Sequence, residues 1–138
     1  MLRSHQTNLR RCPVLVRLNL RLLLKMQFFV RPGEEMKWYD YWKETRLKWH
    51  HSLGLGEENY RFHDHEKLAH YANAATDIEF DFPFGFKELE GIHSRTDFDL
   101  KAHEEFSGKK LQFFDHELNK SYTPYVVETS IGLDRMFL

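Results

Sequence analysis

The sequence predicts an α+β fold, an antiparallel β-sheet with helices flanking it. Three observations carry that prediction. Thr76 to Phe82 alternates strictly, with Asp77, Glu79 and Asp81 against Ile78, Phe80 and Phe82, which is the two-residue period of a half-buried strand. Pro83 and Gly85 then turn the chain into a second apolar run, Phe86 to His93, too close for a crossover and so its antiparallel neighbour. Helical spacing, by contrast, is confined to a few separate stretches, which puts helices beside a sheet rather than between all its strands.

Taken in order, Val14 to Leu22 alternates (Val16, Leu18, Leu20 and Leu22 against Arg17, Asn19 and Arg21), a strand period and not that of an amphipathic helix. Met26 to Arg31 is a short apolar strand. Pro32 sits near a helix start, Glu34 and Glu35 fill its first turn, and Met36, Tyr39, Trp42, Arg46, Trp49 and Leu53 follow at helical spacing until Gly54 and Gly56. The three tryptophans of this helix are expected in the core. Asn59 to Asp64 reads as extended and Glu66 to Ala72 as a short helix. Thr96 is placed to cap a helix over Asp97 to Phe106, stopped by Gly108. Lys110 to Phe114 and Tyr122 to Ser130 are predicted strands, and Gly132 opens a final helix.

Composition narrows the possibilities. With 138 residues the chain is long enough for one ordinary domain with a real core. Its 12 Phe, 6 Tyr and 3 Trp, with 41% hydrophobic residues, argue against disorder. No apolar run approaches the roughly 18 residues of a membrane span. Cys12 is the only cysteine, which excludes an intramolecular disulfide and any multi-cysteine zinc site, and a reducing, cytoplasmic setting fits best. The formal charge of −1 is unevenly spread: residues 1–33 carry a formal +7 and the remainder −8.

Two short stretches concentrate the chemistry. Glu88 and Glu90 are two apart on a strand and read as sharing one face, within Gly85-Phe-Lys-Glu-Leu-Glu-Gly-Ile-His-Ser-Arg95. Glu128 and Ser130 likewise share a face within Tyr125-Val-Val-Glu-Thr-Ser-Ile-Gly-Leu-Asp-Arg135. A carboxylate and a hydroxyl on one face, with Arg135 a few residues on, suit a small zwitterion beside a phosphorylated partner. The histidines offer a weaker signal. His63-Asp64-His65 with His70, and the adjacent His50-His51, are plausible ligand types, but such spacings on extended chain seldom converge on one ion, and exposed or hydrogen-bonded histidines are expected. No Gly-rich phosphate loop is present.

From about Met26 to Leu138 these residues resemble glycyl-tRNA synthetase of the class II, homodimeric type. The resemblance implies a ligase of protein biosynthesis that uses ATP and Mg2+ to convert glycine to glycyl-adenylate, then esterifies tRNA(Gly). It implies a glycine site lined by Glu128, Thr129, Ser130, Ile131 and Gly132. It implies an ATP site that draws on Glu88, Leu89, Gly132, Leu133, Asp134 and Arg135, with Arg135 and Glu88 as catalytic groups and Glu88 beside the ATP-bound magnesium. Arg95 and the Thr96-Asp-Phe-Asp-Leu100 run, which also resemble the family, are read as architecture. Where the family closes an arginine hairpin with an acidic Phe-Glu-Gln-x-Glu, this chain has Arg21-Leu-Leu-Leu-Lys25.

Residues 1–25 therefore admit three readings: an Arg-rich transit peptide, a strand of the domain, or a segment foreign to the family through a frameshift or misplaced start. The abrupt change at Met26 favours the last. On that reading residues 26–138 are a partial catalytic domain, inactive alone, lacking the first motif, most of the last helix and the anticodon domain. A non-catalytic relic or interaction module of the same fold is the alternative.

Overall fold

The computed structural model describes residues 23–138, so the alternating run before Leu23 lies outside the described residues. Seven strands and three helices follow: β1 (Leu23–Val30), α1 (Glu35–His51), β2 (Tyr60–Asp64), β3 (Ala74–Phe82), β4 (Gly85–Thr96), α2 (Phe98–Ser107), β5 (Phe113–Asp115), β6 (Lys120–Tyr122), β7 (Tyr125–Gly132) and α3 (Leu133–Phe137). Five strands form one sheet in the order β1-β7-β4-β3-β2, every neighbouring pair antiparallel. β5 and β6 form a separate hairpin. The predicted antiparallel sheet with flanking helices is the observed architecture.

One face of the sheet is covered by α1. Tyr39 of α1 is buried in one cluster with Tyr60 of β2, Ile78 and Phe82 of β3, Leu89 and Ile92 of β4 and Val127 of β7, and burial of each such side chain contributes about 1.5–3 kcal/mol. Its hydroxyl donates to Thr76 Oγ1 at 2.6 Å, so the ring enters the core with its polar end satisfied. Trp38 and Trp42 pack on Phe28 with ring centroids 4.8 and 5.5 Å apart. Trp49 departs from expectation: it is exposed, with the Arg46 guanidinium over its ring at 4.4 Å. The helix turns His50 inward in its place.

Five local expectations differ from the structure. Of the strand expected over Lys110 to Phe114 only Phe113 and Phe114 pair, in β5, and residues 110–112 lie outside any strand. Residues 66–72 form no helix. The segment is tied at both ends, His65 N–H to Ala75 O and Asn73 N–H to Ser94 O, and seven residues so anchored cannot propagate a helix. Its His70 and Tyr71 instead meet Phe98. Thr96 does not cap α2: it is in the left-handed region (φ 56°) and still pairs with Val126 past an irregularity after Ser94, and Asp97 is the flanking residue. Tyr122 to Ser130 is not one strand, because Pro124 has no N–H to continue the ladder and divides β6 from β7. Finally, β1 already holds the residues before Met26: Leu23, the first described residue, Leu24 and Lys25 pair with Gly132, Ile131 and Ser130.

Glu88 and Glu90 also part company. The register of β3 and β4 shifts between Ile78 and Glu79, so Ile78 faces Glu90 while Glu79 faces Glu88. The extra residue of this bulge reverses the alternation. Glu90 turns toward α1, where Arg46 Nε (2.7 Å) and His50 Nε2 (2.7 Å) donate to its two oxygens. Glu88 stays on the other face.

Candidate functional site

The side of the sheet away from α1 carries Glu128, Ser130 and the polar groups around them. Along β7, Val127, Thr129 and Ile131 point to the helix side and Glu128 and Ser130 to the opposite side, as the pleat requires. The register fixes their neighbours. Glu128 lies opposite Gln27 of β1 and His93 of β4; Ser130 lies opposite Lys25 and Gly91. Gly91 in turn faces Asp77 of β3.

Glu128 is only 3% exposed, yet its carboxylate is fully supplied with donors. Lys25 Nζ donates to Oε1 at 3.2 Å and Gln27 Nε2 to Oε2 at 3.1 Å. Arg95 Nη1 lies 3.5 Å from Oε1. Arg95 is fixed from behind: it donates to Asp99 through Nε (2.6 Å) and Nη2 (3.0 Å) and lies over the Tyr71 ring at 4.2 Å. Those bonds hold the Asp99 carboxyl below the usual carboxylate range and the guanidinium above its own. Arg95 is thus both anchor of α2 and part of the site, more than the architectural role its sequence context suggests.

His93 completes the cluster. Burial pushes its pKa below the usual histidine range, against the opposing pull of the Asp77 and Glu128 carboxylates, so the ring is neutral at pH 7. Its Nδ1 is buried without a hydrogen-bond partner. Beside it His65 Nε2 bonds Asp77 Oδ2 at 2.8 Å, the two histidine rings 6.0 Å apart. Glycine at 91 permits this approach: a Cβ there would lie 2.8 Å from His93 Cε1 and 3.4 Å from Asp77 Oδ1.

The second cluster lies where β7 ends. Gly132 leads into α3, and Arg135 Nη1 donates to the backbone carbonyl of Glu88 and lies 3.7 Å from its carboxylate. Both side chains are about half exposed, so a cation and an acid are paired but reachable. Asp134 is exposed nearby.

The structure therefore brings Glu128 with Ser130, and Glu88 with Arg135. It does not bring the side chains of Thr129, Ile131 or Leu89 to that face; all three are buried on the α1 side. Thr129, Ile131 and Leu133 instead line a cavity of about 380 Å3 with Arg46, Trp49 and Glu90. Only main-chain atoms of Leu89, Thr129 and Ile131 remain for a ligand on the open face. Sequence reasoning missed Lys25, Gln27, Asp77 and His93, and expected of His65 only exposure or a hydrogen bond, which it makes to Asp77. The polar pair Lys25 and Gln27, two apart in an apolar strand, was a usable signal; the rest needed the register.

Among the described residues no group of three or more His, Cys, Asp or Glu side chains converges as a metal cage. No described helix is long and apolar enough to cross a membrane.

No protein-family profile matches the chain. Individual proteins do. It is 51% identical over 116 residues to the glycine–tRNA ligase of Chlorobaculum tepidum, covering 83% of this chain and 25% of that protein. It is 53% identical over 117 residues to the glycine–tRNA ligase of Geobacillus thermodenitrificans and 51% over 117 residues to that of Staphylococcus haemolyticus, each with the same coverage. The chain thus spans about a quarter of the length of these curated relatives. Among solved structures, Giardia lamblia prolyl-tRNA synthetase in complex with prolyl-adenylate shares the fold with a TM-score of 0.53 at 15% identity, over 83% of this chain and 22% of that one. The antiparallel sheet with its flanking helices is thus a fold shared with part of that synthetase.

Proposed function

We propose that this chain, about half identical to glycine–tRNA ligases over 83% of its length, is a segment of such a ligase's catalytic domain, with residues 26–138 as the family portion. In the whole protein the activity is ATP-dependent activation of glycine to glycyl-adenylate and transfer to tRNA(Gly), in a homodimer of the cytoplasm. The observation that carries this reading is the pairing of Glu128 and Ser130 on the open face of the central strands, buried enough to strengthen a charge-assisted bond. Glycine offers only an ammonium and a carboxylate, so a carboxylate such as Glu128 and a neighbouring hydroxyl are the recognition groups its ammonium end requires.

Arg135 then suits the phosphates. Its planar guanidinium is half exposed, tethered to the Glu88 carbonyl and free to turn bidentate contacts toward an anion. Gly132, Leu133 and Asp134 carry it there, with the Leu89 main chain alongside. Magnesium takes few protein ligands and keeps phosphate oxygens and waters, which fits a single reachable carboxylate, that of Glu88, better than a cage would. When bound it neutralises charge on the phosphates. The protein's own share is positioning: it holds glycine's ammonium, aligns its carboxylate for in-line attack on the α-phosphate and requires no covalent enzyme intermediate.

The test is a chimera in which residues 26–138 replace the matching quarter of the Geobacillus thermodenitrificans enzyme. Glycine-dependent ATP–pyrophosphate exchange within about tenfold of the parent supports the reading, since that margin is about 1.4 kcal/mol of barrier. Loss of exchange in a folded chimera that still binds ATP sinks it. A second reading, a non-catalytic relic or interaction module of this fold, is favoured for the chain as it stands by the Lys25 ammonium on Glu128.

A further inference from the structure

We propose that Lys25 is a tethered occupant of the ammonium subsite: its Nζ fills the place at Glu128 where a free primary ammonium would bind, and thereby excludes ligands from it. The inference concerns the subsite that the glycine reading uses, and it rests on that reading only for the natural ligand. Its geometry stands alone. Glu128 is almost wholly buried, and three donors from this chain saturate its two oxygens. They are not equivalent. Gln27 is neutral, and Arg95 is locked by Asp99 and Tyr71. Lys25 is the compact one: a primary ammonium on a flexible stem, 46% exposed, entering from the solvent side of the edge strand. It has the same chemistry as the head of any small primary amine, and it approaches by the side a ligand would have to use.

The tether sets how strongly it competes. A group held on the same chain a few ångströms from its acceptor acts at an effective concentration of the order of millimolar or above. A free ammonium ligand must outcompete that before it contacts Glu128. Removing the Lys25 charge leaves a buried carboxylate with Arg95 as its one nearby cation among the described residues, which is the state best suited to take an ammonium from solution. Ser130, directly opposite Lys25 in the register, is then uncovered beside it.

The experiment uses the full 138-residue chain, labelled with 15N, and two probes. Methylammonium tests the bare subsite and glycine tests the ligand reading, each against sodium chloride at equal ionic strength. Lys25→Met keeps the stem without the charge; Lys25→Arg keeps a cation as the folded control. Lys25→Met is expected to give saturable shifts at Glu128, Ser130 and His93 at a methylammonium concentration at least tenfold below any response of the parent. Lys25→Arg should stay closed, and adding Glu128→Gln to Lys25→Met should abolish the response. Equal midpoints in the parent and Lys25→Met, no response in either, or a response that survives Glu128→Gln each overturn the proposal. Methylammonium binding without glycine binding in Lys25→Met upholds the subsite and counts against the glycine reading instead.

Discussion

Leu89 and Glu90 lie side by side on the α1 face of β4, although neighbours on a regular strand point to opposite faces. Leu89 packs with Tyr39 and Ile78 while Glu90 meets Arg46 and His50, and the shifted register opposite Ile78 and Glu79 is what allows it. The bulge thus places a carboxylate with no solvent exposure inside the core and leaves Glu88 outside to meet Arg135.

The Glu90 network makes stability acid-sensitive. Burial opposes the charge, but the His50 and Arg46 bonds outweigh it, and the folded-state pKa is held below the ordinary glutamate value. A depressed carboxylate pKa contributes stability that is present above the unfolded value, near pH 4.5, and lost as pH falls through the folded one. Glu90→Gln should cost about 1.5–3 kcal/mol at neutral pH, since it removes the buried carboxylate that accepts from the part-buried Arg46 guanidinium, and should flatten the acid limb. Urea unfolding of both proteins between pH 3 and 7 reads this; parallel curves would show that Glu90 does not titrate on unfolding.

Gly91→Ala should disturb the open face specifically. A Cβ 2.8 Å from the His93 ring requires that ring or the strand to move, at a cost of about 1–3 kcal/mol. Denaturant midpoints and the His93 ring resonances test it. An unchanged midpoint with unshifted His93 signals would mean that the ring has room elsewhere.

Glu128→Gln, made in the chimera or the whole protein, keeps shape and removes the charge proposed to receive the ammonium. Glycine kcat/KM should fall by an amount equivalent to about 2–4 kcal/mol, with ATP affinity little altered. Equal losses for glycine and ATP would assign Glu128 a structural role.

The 138-residue chain itself is expected to give no glycine-dependent ATP–pyrophosphate exchange, because Lys25 already pairs with Glu128, the carboxylate proposed to hold glycine's ammonium. Radiolabelled pyrophosphate incorporation with and without glycine is the measurement. Exchange clearly above the glycine-free blank would contradict both the occupied subsite and the expectation that the head departs from a working enzyme.

Local pattern alone settled a good deal. The strict alternation of Asp77 to Phe82, the Pro83 and Gly85 turn, and the spacing that begins α1 and stops at Gly54 are short-range signals, written in neighbours the chain cannot separate. The shared face of Glu128 and Ser130 follows from the pleat and held in the sheet. Tertiary structure decided what depends on register. Whether Glu88 and Glu90 share a face turns on one bulged residue, and a single inserted position inverts every side chain beyond it. The failed helix at 66–72 was overruled by bonds to Ala75 and Ser94, partners from other strands. His93, Lys25 and Arg95 meet Glu128 from 35, 103 and 33 residues away, through pairings β7 makes on both sides. Such pairings are set by the burial of one whole face of the sheet, a property of all five strands together that no short stretch of sequence contains.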